Sequence, residues 1–148
     1  MNRFAVLCCA ALLVGCAQSD EQAETEVPEA STISLADVAG VWTMQALPEV
    51  GDSALVTYEM VATGNTEGWT VTFPDAEPIP ARVVAVAGDS IIVDLGPYES
   101  ALRDGVMVST RSVVRLQEGN LTGTFVARYQ TTEPDSLLRG RQLGSRNP

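Results

Sequence analysis

From residue 41 onward the chain alternates apolar and polar residues with a period of two, a rhythm that fits β-strands with one buried face and no helical packing. Over residues 54–62, Val56, Tyr58, Met60 and Ala62 share one face while Thr57 and Glu59 take the other. Residues 68–73 set Trp69, Val71 and Phe73 against Thr70 and Thr72. Segments 81–87 and 90–95 flank Gly88-Asp89, a two-residue turn that reads as a type I′ or II′ hairpin. Over 106–117, Val106, Val108, Val114 and Leu116 face inward against Ser109, Arg111 and Arg115. The polar Thr110 and Ser112 interrupt that apolar face, marking either a bend or a polar spot in a cavity. After Glu118-Gly119, residues 120–130 align Leu121, Gly123, Phe125, Ala127 and Tyr129. Residues 41–46 open the series and residues 137–143 close it, which makes seven to eight strands.

Short turns between successive strands favour an antiparallel meander, and a sheet with one apolar face must curl or pair to bury it. Closing into a barrel also removes the exposed edges. The predicted fold is therefore all-β, a single up-and-down antiparallel β-barrel over residues 33–148, with an open β-sandwich or a curled sheet as the alternative. One helical turn is expected, with Ser34 as N-cap, Asp37 three residues on and an end near Gly40.

The N-terminus reads differently. Arg3 precedes an uncharged run of eleven apolar residues, 4–14, which is the length of a signal-peptide core and well short of the roughly 20 needed to span a bilayer. Leu13-Val14-Gly15-Cys16 resembles the lipobox of bacterial lipoproteins. That resemblance implies cleavage before Cys16, acylation of Cys16 and attachment to a membrane of the cell envelope. It further implies sorting, through Ala17, to an outer membrane facing the periplasm in a Gram-negative cell. The organisation expected is a signal peptide over 1–15, a lipidated N-terminus and disordered acidic linker over 16–32, and the barrel over 33–148. The linker carries Asp20, Glu21, Glu24, Glu26 and Glu29 with no basic residue, the composition of a solvated spacer roughly 20–25 Å long.

Gly40-Val41-Trp42 after a helical turn, followed by an eight-strand meander, is similar to the calycin or lipocalin-like barrels. The resemblance implies that Trp42 plugs the closed end and that an arginine of the last strand, Arg139 or Arg141, stacks over its ring, a cation–π contact of about 0.5–2 kcal/mol. The domain is shorter than most lipocalins and lacks their disulfide.

What the chain lacks narrows its chemistry. It has no histidine and no lysine, and after signal cleavage only Cys16 would remain of its three cysteines. A disulfide framework, a Cys/His zinc site and nucleophile–base pairs that need histidine or lysine are thereby excluded. Carboxylates remain as acid–base groups. Asp89, Asp94 and Glu99 cluster in sequence, where alternation reads them as solvated surface, and no twelve-residue calcium loop is present. The net charge of −10 argues against nucleic acid, which needs a basic footprint. Ten acids and Arg82 occupy residues 33–99, whereas residues 103–148 hold seven arginines and four acids. This asymmetry predicts opposite charges paired across neighbouring strands, the alternative being an arginine patch for an anionic partner.

The inward candidates are Trp42, Tyr58, Met60, Trp69, Phe73, Phe125 and Tyr129, as filled core or as the lining of an apolar pocket. The loop at 96–105, with Tyr98, Glu99, Leu102 and Arg103, crosses one end of the barrel as a cover or a functional loop. The function expected is non-catalytic binding without cofactor or metal, of a small apolar ligand or, with a filled barrel, of an envelope protein. A carboxylate-based enzyme is the remaining alternative. Ligand carriage predicts a cavity of about 300 Å³ or more opening at one end, whereas a filled interior favours the envelope-interaction reading.

Overall fold

A computed structural model describes residues 32–132 and 134–148. The segment expected to be a signal peptide, Cys16 and nearly all of the expected acidic linker lie outside the described residues. After one helical turn, α1 (Leu35–Val38), the chain forms β1 (Gly40–Pro48), β2 (Val56–Ala62), β3 (Trp69–Thr72), β4 (Ile79–Ala87), β5 (Ser90–Glu99), β6 (Met107–Gln117), β7 (Asn120–Tyr129) and β8 (Leu137–Arg146). Each strand pairs antiparallel with the next, and β8 returns to β1 through the register Trp42↔Arg146 to Pro48↔Gly140. The sheet is a closed eight-strand up-and-down barrel, so the open-sandwich and curled-sheet alternatives are set aside. Alternation selects the interior, and Met44, Met60, Val71, Val93, Val114, Leu121 and Phe125 are all buried within it.

One end is sealed. Ser34 caps α1 by accepting from Ala36 N, and Val38 at the end of the turn is buried. Trp42 is 0% exposed, and its indole Nε1–H donates to Val38 O at 2.8 Å, tying the turn to the barrel floor. Trp69 is likewise buried, and its Nε1–H donates to Asn65 O at 2.8 Å. The guanidinium of Arg146 lies 4.4 Å from the centre of the Trp42 ring, while Nη2 donates to Asp37 O and Nη1 to Ala39 O. Gly40 makes this possible. It holds φ at +142°, and a Cβ there would sit 2.7 Å from Arg146 Nη1.

The stacking arginine is therefore Arg146, not Arg139 or Arg141. Register is the physical reason. β8 runs three residues beyond 143, so Trp42 faces Arg146, whereas Arg141 faces Leu47 at the other end of β1. Arg141 reaches the β1–β2 loop, donating to Gly51 O at 2.6 Å and to Asp52 at 3.1 Å. Arg139 is exposed on the outer wall opposite Val126. Both ends of the described chain meet at the sealed end, Ile33 N donating to Gly88 O and Asn147 N to Val41 O.

The inward face of β8 is Leu138, Gly140, Gln142 and Gly144, mostly small because neighbouring side chains fill its space. A Cβ on Gly140 would meet Leu47 O and come within 2.6 Å of the Phe125 ring, and one on Gly144 would meet the Met44 sulfur. Outside, charges pair across strands as expected. Asp94 on β5 takes a forked pair of bonds from Arg111 on β6 (2.7 and 2.8 Å) and one from Arg82 on β4 (3.3 Å). Arg115 pairs with Asp89 at 3.1 Å. The Arg111 hydrogen bond, against some desolvation, holds the Asp94 carboxyl below the usual carboxylate range.

Candidate functional site

The end opposite Trp42 leads into a cavity of about 80 Å³ inside the barrel. Tyr58 and Met60 from β2, Phe73 just after β3, and Phe125 and Tyr129 from β7 line it, so five of the seven inward candidates meet there. Trp42 and Trp69 do not; they are packed into the sealed floor. The rings form a continuous wall. Phe73 stands 5.3 Å from Tyr58 at an interplanar angle of 47° and 5.3 Å from Tyr98 at 19°. Such tilted and offset arrangements suit aromatic quadrupoles.

Polar groups sit at a few points in this wall. Gln142 is 2% exposed; its Oε1 accepts from the Tyr58 hydroxyl at 2.9 Å, and its Nε2 donates to Thr124 O at 3.4 Å. Both polar atoms of the buried amide are thus hydrogen-bonded to the wall itself. The Tyr98 hydroxyl and Thr110 share a hydrogen bond of 3.0 Å, and Ser112 adds a further hydroxyl. Thr110 and Ser112 therefore mark a polar spot in the cavity. Burial pushes the Tyr58 and Tyr98 hydroxyls above their ordinary value, so both keep their protons near pH 7. Among the described residues no charged side chain lines the cavity.

Two lining residues escaped the alternation. Period two puts Tyr98 outward, but β5 is irregular between Leu95 and Tyr98, with Leu95 opposite Thr110 and Tyr98 opposite Val108. Three residues on β5 thus span two on β6, which flips the parity and turns Tyr98 in. The cue lay in Gly96-Pro97, a pair that disfavours regular pairing. Gln142 gave no cue, since a glutamine in a strand normally marks the outer face.

β5 continues to Glu99, so the crossing loop is 100–106. It is pinned from within. Ser100 Oγ accepts from Leu102 N and Arg103 N at 3.0 and 3.1 Å, and Ser100 N donates to Val106 O. Arg103 lies 4.1 Å over the Tyr129 ring. Ser100, Ala101 and Leu102 cover part of the cavity, while Glu99 turns away and accepts from Gly105 N.

The three clustered carboxylates do not converge. Asp89 is engaged by Ser90 and Arg115, Asp94 by Arg82 and Arg111, Glu99 by Gly105 N, and none lines the cavity. Among the described residues no group of three or more His, Cys, Asp or Glu is placed to hold a metal. At about 80 Å³ the cavity falls well below the roughly 300 Å³ expected for an enclosed ligand, and below the approximately 150 Å³ of a void that takes benzene. The arrangement can admit one short apolar segment and offer it a hydrogen bond. The chain matches no protein-family model, no curated protein and no solved structure.

Proposed function

We propose that this chain is a lipid-anchored lipoprotein of the cell envelope whose calycin-like barrel binds, without catalysis, the apolar end of a small ligand at its mouth. The observation that carries the reading is the asymmetry of the barrel interior. One end is closed by α1, Trp42 and Arg146, while the other keeps an aromatic-walled cavity lined, among the described residues, by no charged side chain. The cavity volume confines the ligand to partial entry, leaving the rest at the rim. The lipobox resemblance at Leu13-Val14-Gly15-Cys16 supports anchoring through Cys16, and Ala17 supports an outer membrane facing the periplasm in a Gram-negative cell.

Native mass spectrometry of the protein purified from its host tests the binding. The expected result is a co-purifying small molecule that is lost in Ala127→Phe, where a ring occupies the cavity from β7. A wild-type spectrum without adducts, together with no response to added alkyl compounds, refutes it. In that case the second reading takes over, in which the mouth holds an apolar side chain of an envelope protein. Val50, 90% exposed beside the mouth, favours that reading.

A further inference from the structure

We infer that the outer wall formed by β6, β7 and β8 is the docking face for this chain's own acidic segment, residues 20–29, which it holds carboxylate to guanidinium.

The outward faces of these three strands carry Arg111, Arg115, Arg128, Arg139 and Arg141 and, among the described residues, no carboxylate. Acids from the borders of the wall cover part of that charge. Arg115 meets Asp89, Arg141 meets Asp52, and Arg111 shares Asp94 with Arg82 of β4. Arg128 and Arg139 form no ion pair among the described residues, and Glu49, which lines an indentation with Arg139 and Arg141, offsets one charge. Register gathers the surplus. Arg111 and Arg139 stand opposite Val126 on either side, and Arg128 leaves the same face of β7 two residues farther on. Two indentations of the wall, one lined by Arg82, Arg111 and Arg128 and the other by Arg139 and Arg141, meet at Thr124 and Val126.

The complement lies on the same chain. Asp20, Glu21, Glu24, Glu26 and Glu29 fall within ten residues that hold no cation. The point of entry sets them beside the wall, because Ile33 N donates to Gly88 O and the next residue, Asp89, pairs with Arg115. From Arg115 towards the mouth, the level of Arg111 lies about 13 Å away and that of Arg128 about 7 Å farther. At up to about 3.3 Å per residue, Glu29 reaches about 13 Å from Ile33 and Glu24 about 30 Å, enough to cover the row.

Charge favours this occupant over a separate anion. A net charge of −10 repels acidic partners from solution, whereas an attached segment is present at an effective concentration on the order of millimolar. The cations are all arginine, whose fork fits a carboxylate with two parallel bonds, as Arg111 does with Asp94. A docked segment leaves the wall near the mouth. With Cys16 acylated, as proposed above, the anchor then holds the mouth rather than the floor towards the membrane.

The test uses residues 16–148, in which Cys16 is the sole cysteine, with a nitroxide on its sulfur. Amide NMR signals near the label lose intensity. At about 0.05 M salt the expected loss is greatest at the mouth ends of β7 and β8, around Arg128 and Leu137. At 1 M salt, where the screening length is about 3 Å, the loss moves to the floor, around Gly88 and Asn147. Each exposed pair shifts such an equilibrium about twofold. Asp20→Asn/Glu21→Gln/Glu24→Gln/Glu26→Gln/Glu29→Gln should therefore lower the docked-to-free ratio roughly thirtyfold, and Arg128→Gln/Arg139→Gln about fourfold. A loss centred on the floor at both salts overturns the inference, and so does a mouth-centred loss that survives in the five-acid variant. That variant leaves every barrel residue in place, so misfolding cannot imitate the result. Neither acylation nor a ligand enters the measurement, so its failure leaves the proposed function standing.

Discussion

Arg146→Ala should destabilise the barrel far more than Arg139→Ala, although both residues are exposed arginines on the same strand. The guanidinium of Arg146 covers Trp42 at 4.4 Å and bonds the carbonyls of Asp37 and Ala39. The ring contact contributes about 0.5–1 kcal/mol at an exposed site. Each hydrogen bond from this exposed charged donor adds about 1–1.5 kcal/mol, less than the roughly 1.5–3 kcal/mol of a sheltered one because water competes. Together these give a loss of about 3 kcal/mol, or roughly 12 °C in Tm for a domain of this size. Among the described residues Arg139 pairs with no carboxylate and covers no ring, so its removal should cost under about 0.5 kcal/mol. Arg146→Lys should fall between, keeping the cation but losing the two-pronged grip. Urea unfolding followed by tryptophan fluorescence measures all three, and Trp42 emission should shift to the red only when position 146 changes. The reasoning is refuted if Arg146→Ala unfolds within 0.5 kcal/mol of the parent, or if Arg139→Ala costs as much.

Gly140→Ala should lose about 1–3 kcal/mol, because the added methyl meets Leu47 O and the Phe125 ring; unchanged thermal unfolding would show that this seam relaxes freely. Acid should weaken the fold partly through Asp94. Its carboxyl is held below the ordinary 3.8 chiefly by Arg111, so its contribution is present above that pH and is lost as pH falls further. Asp94→Asn should cost under about 1 kcal/mol at pH 7 and flatten the decline of the urea midpoint below pH 4. A decline as steep as in the parent would place the acid sensitivity elsewhere.

Where the strands are regular, their burial was legible. The even positions of β2 and the odd positions of β7 face inward as their alternation says, because a half-buried sheet leaves no other way to satisfy both water and core. The cavity was only partly legible. Tyr58, Met60, Phe73, Phe125 and Tyr129 announced themselves as large apolar residues in phase, and so did Trp42 and Trp69, which belong to the floor. Period alone orders residues across a strand but does not say how far along the barrel axis each one lies. Tyr98 was hidden by the irregularity after Leu95, a one-residue step that reverses facing. β8 was faint because its interior positions are Gly140, Gln142 and Gly144, whose space is taken by Phe125 and Met44 from adjacent strands. Small residues matched to large neighbours leave no hydrophobic rhythm to read, and the strand's true end at Arg146 went unseen with it.

The meeting of both chain ends at the floor of the barrel decides how the domain responds to force. β1 begins and β8 ends side by side, hydrogen-bonded from Trp42↔Arg146 onward. A tug that separates the termini loads these bonds one at a time and peels the seam open like a zipper. A load between the N-terminal end and something gripped at the mouth runs instead lengthwise along the staves, where many bonds resist at once. The barrel is therefore weakest when its two ends are pulled apart and stronger when the load runs from the floor to the mouth.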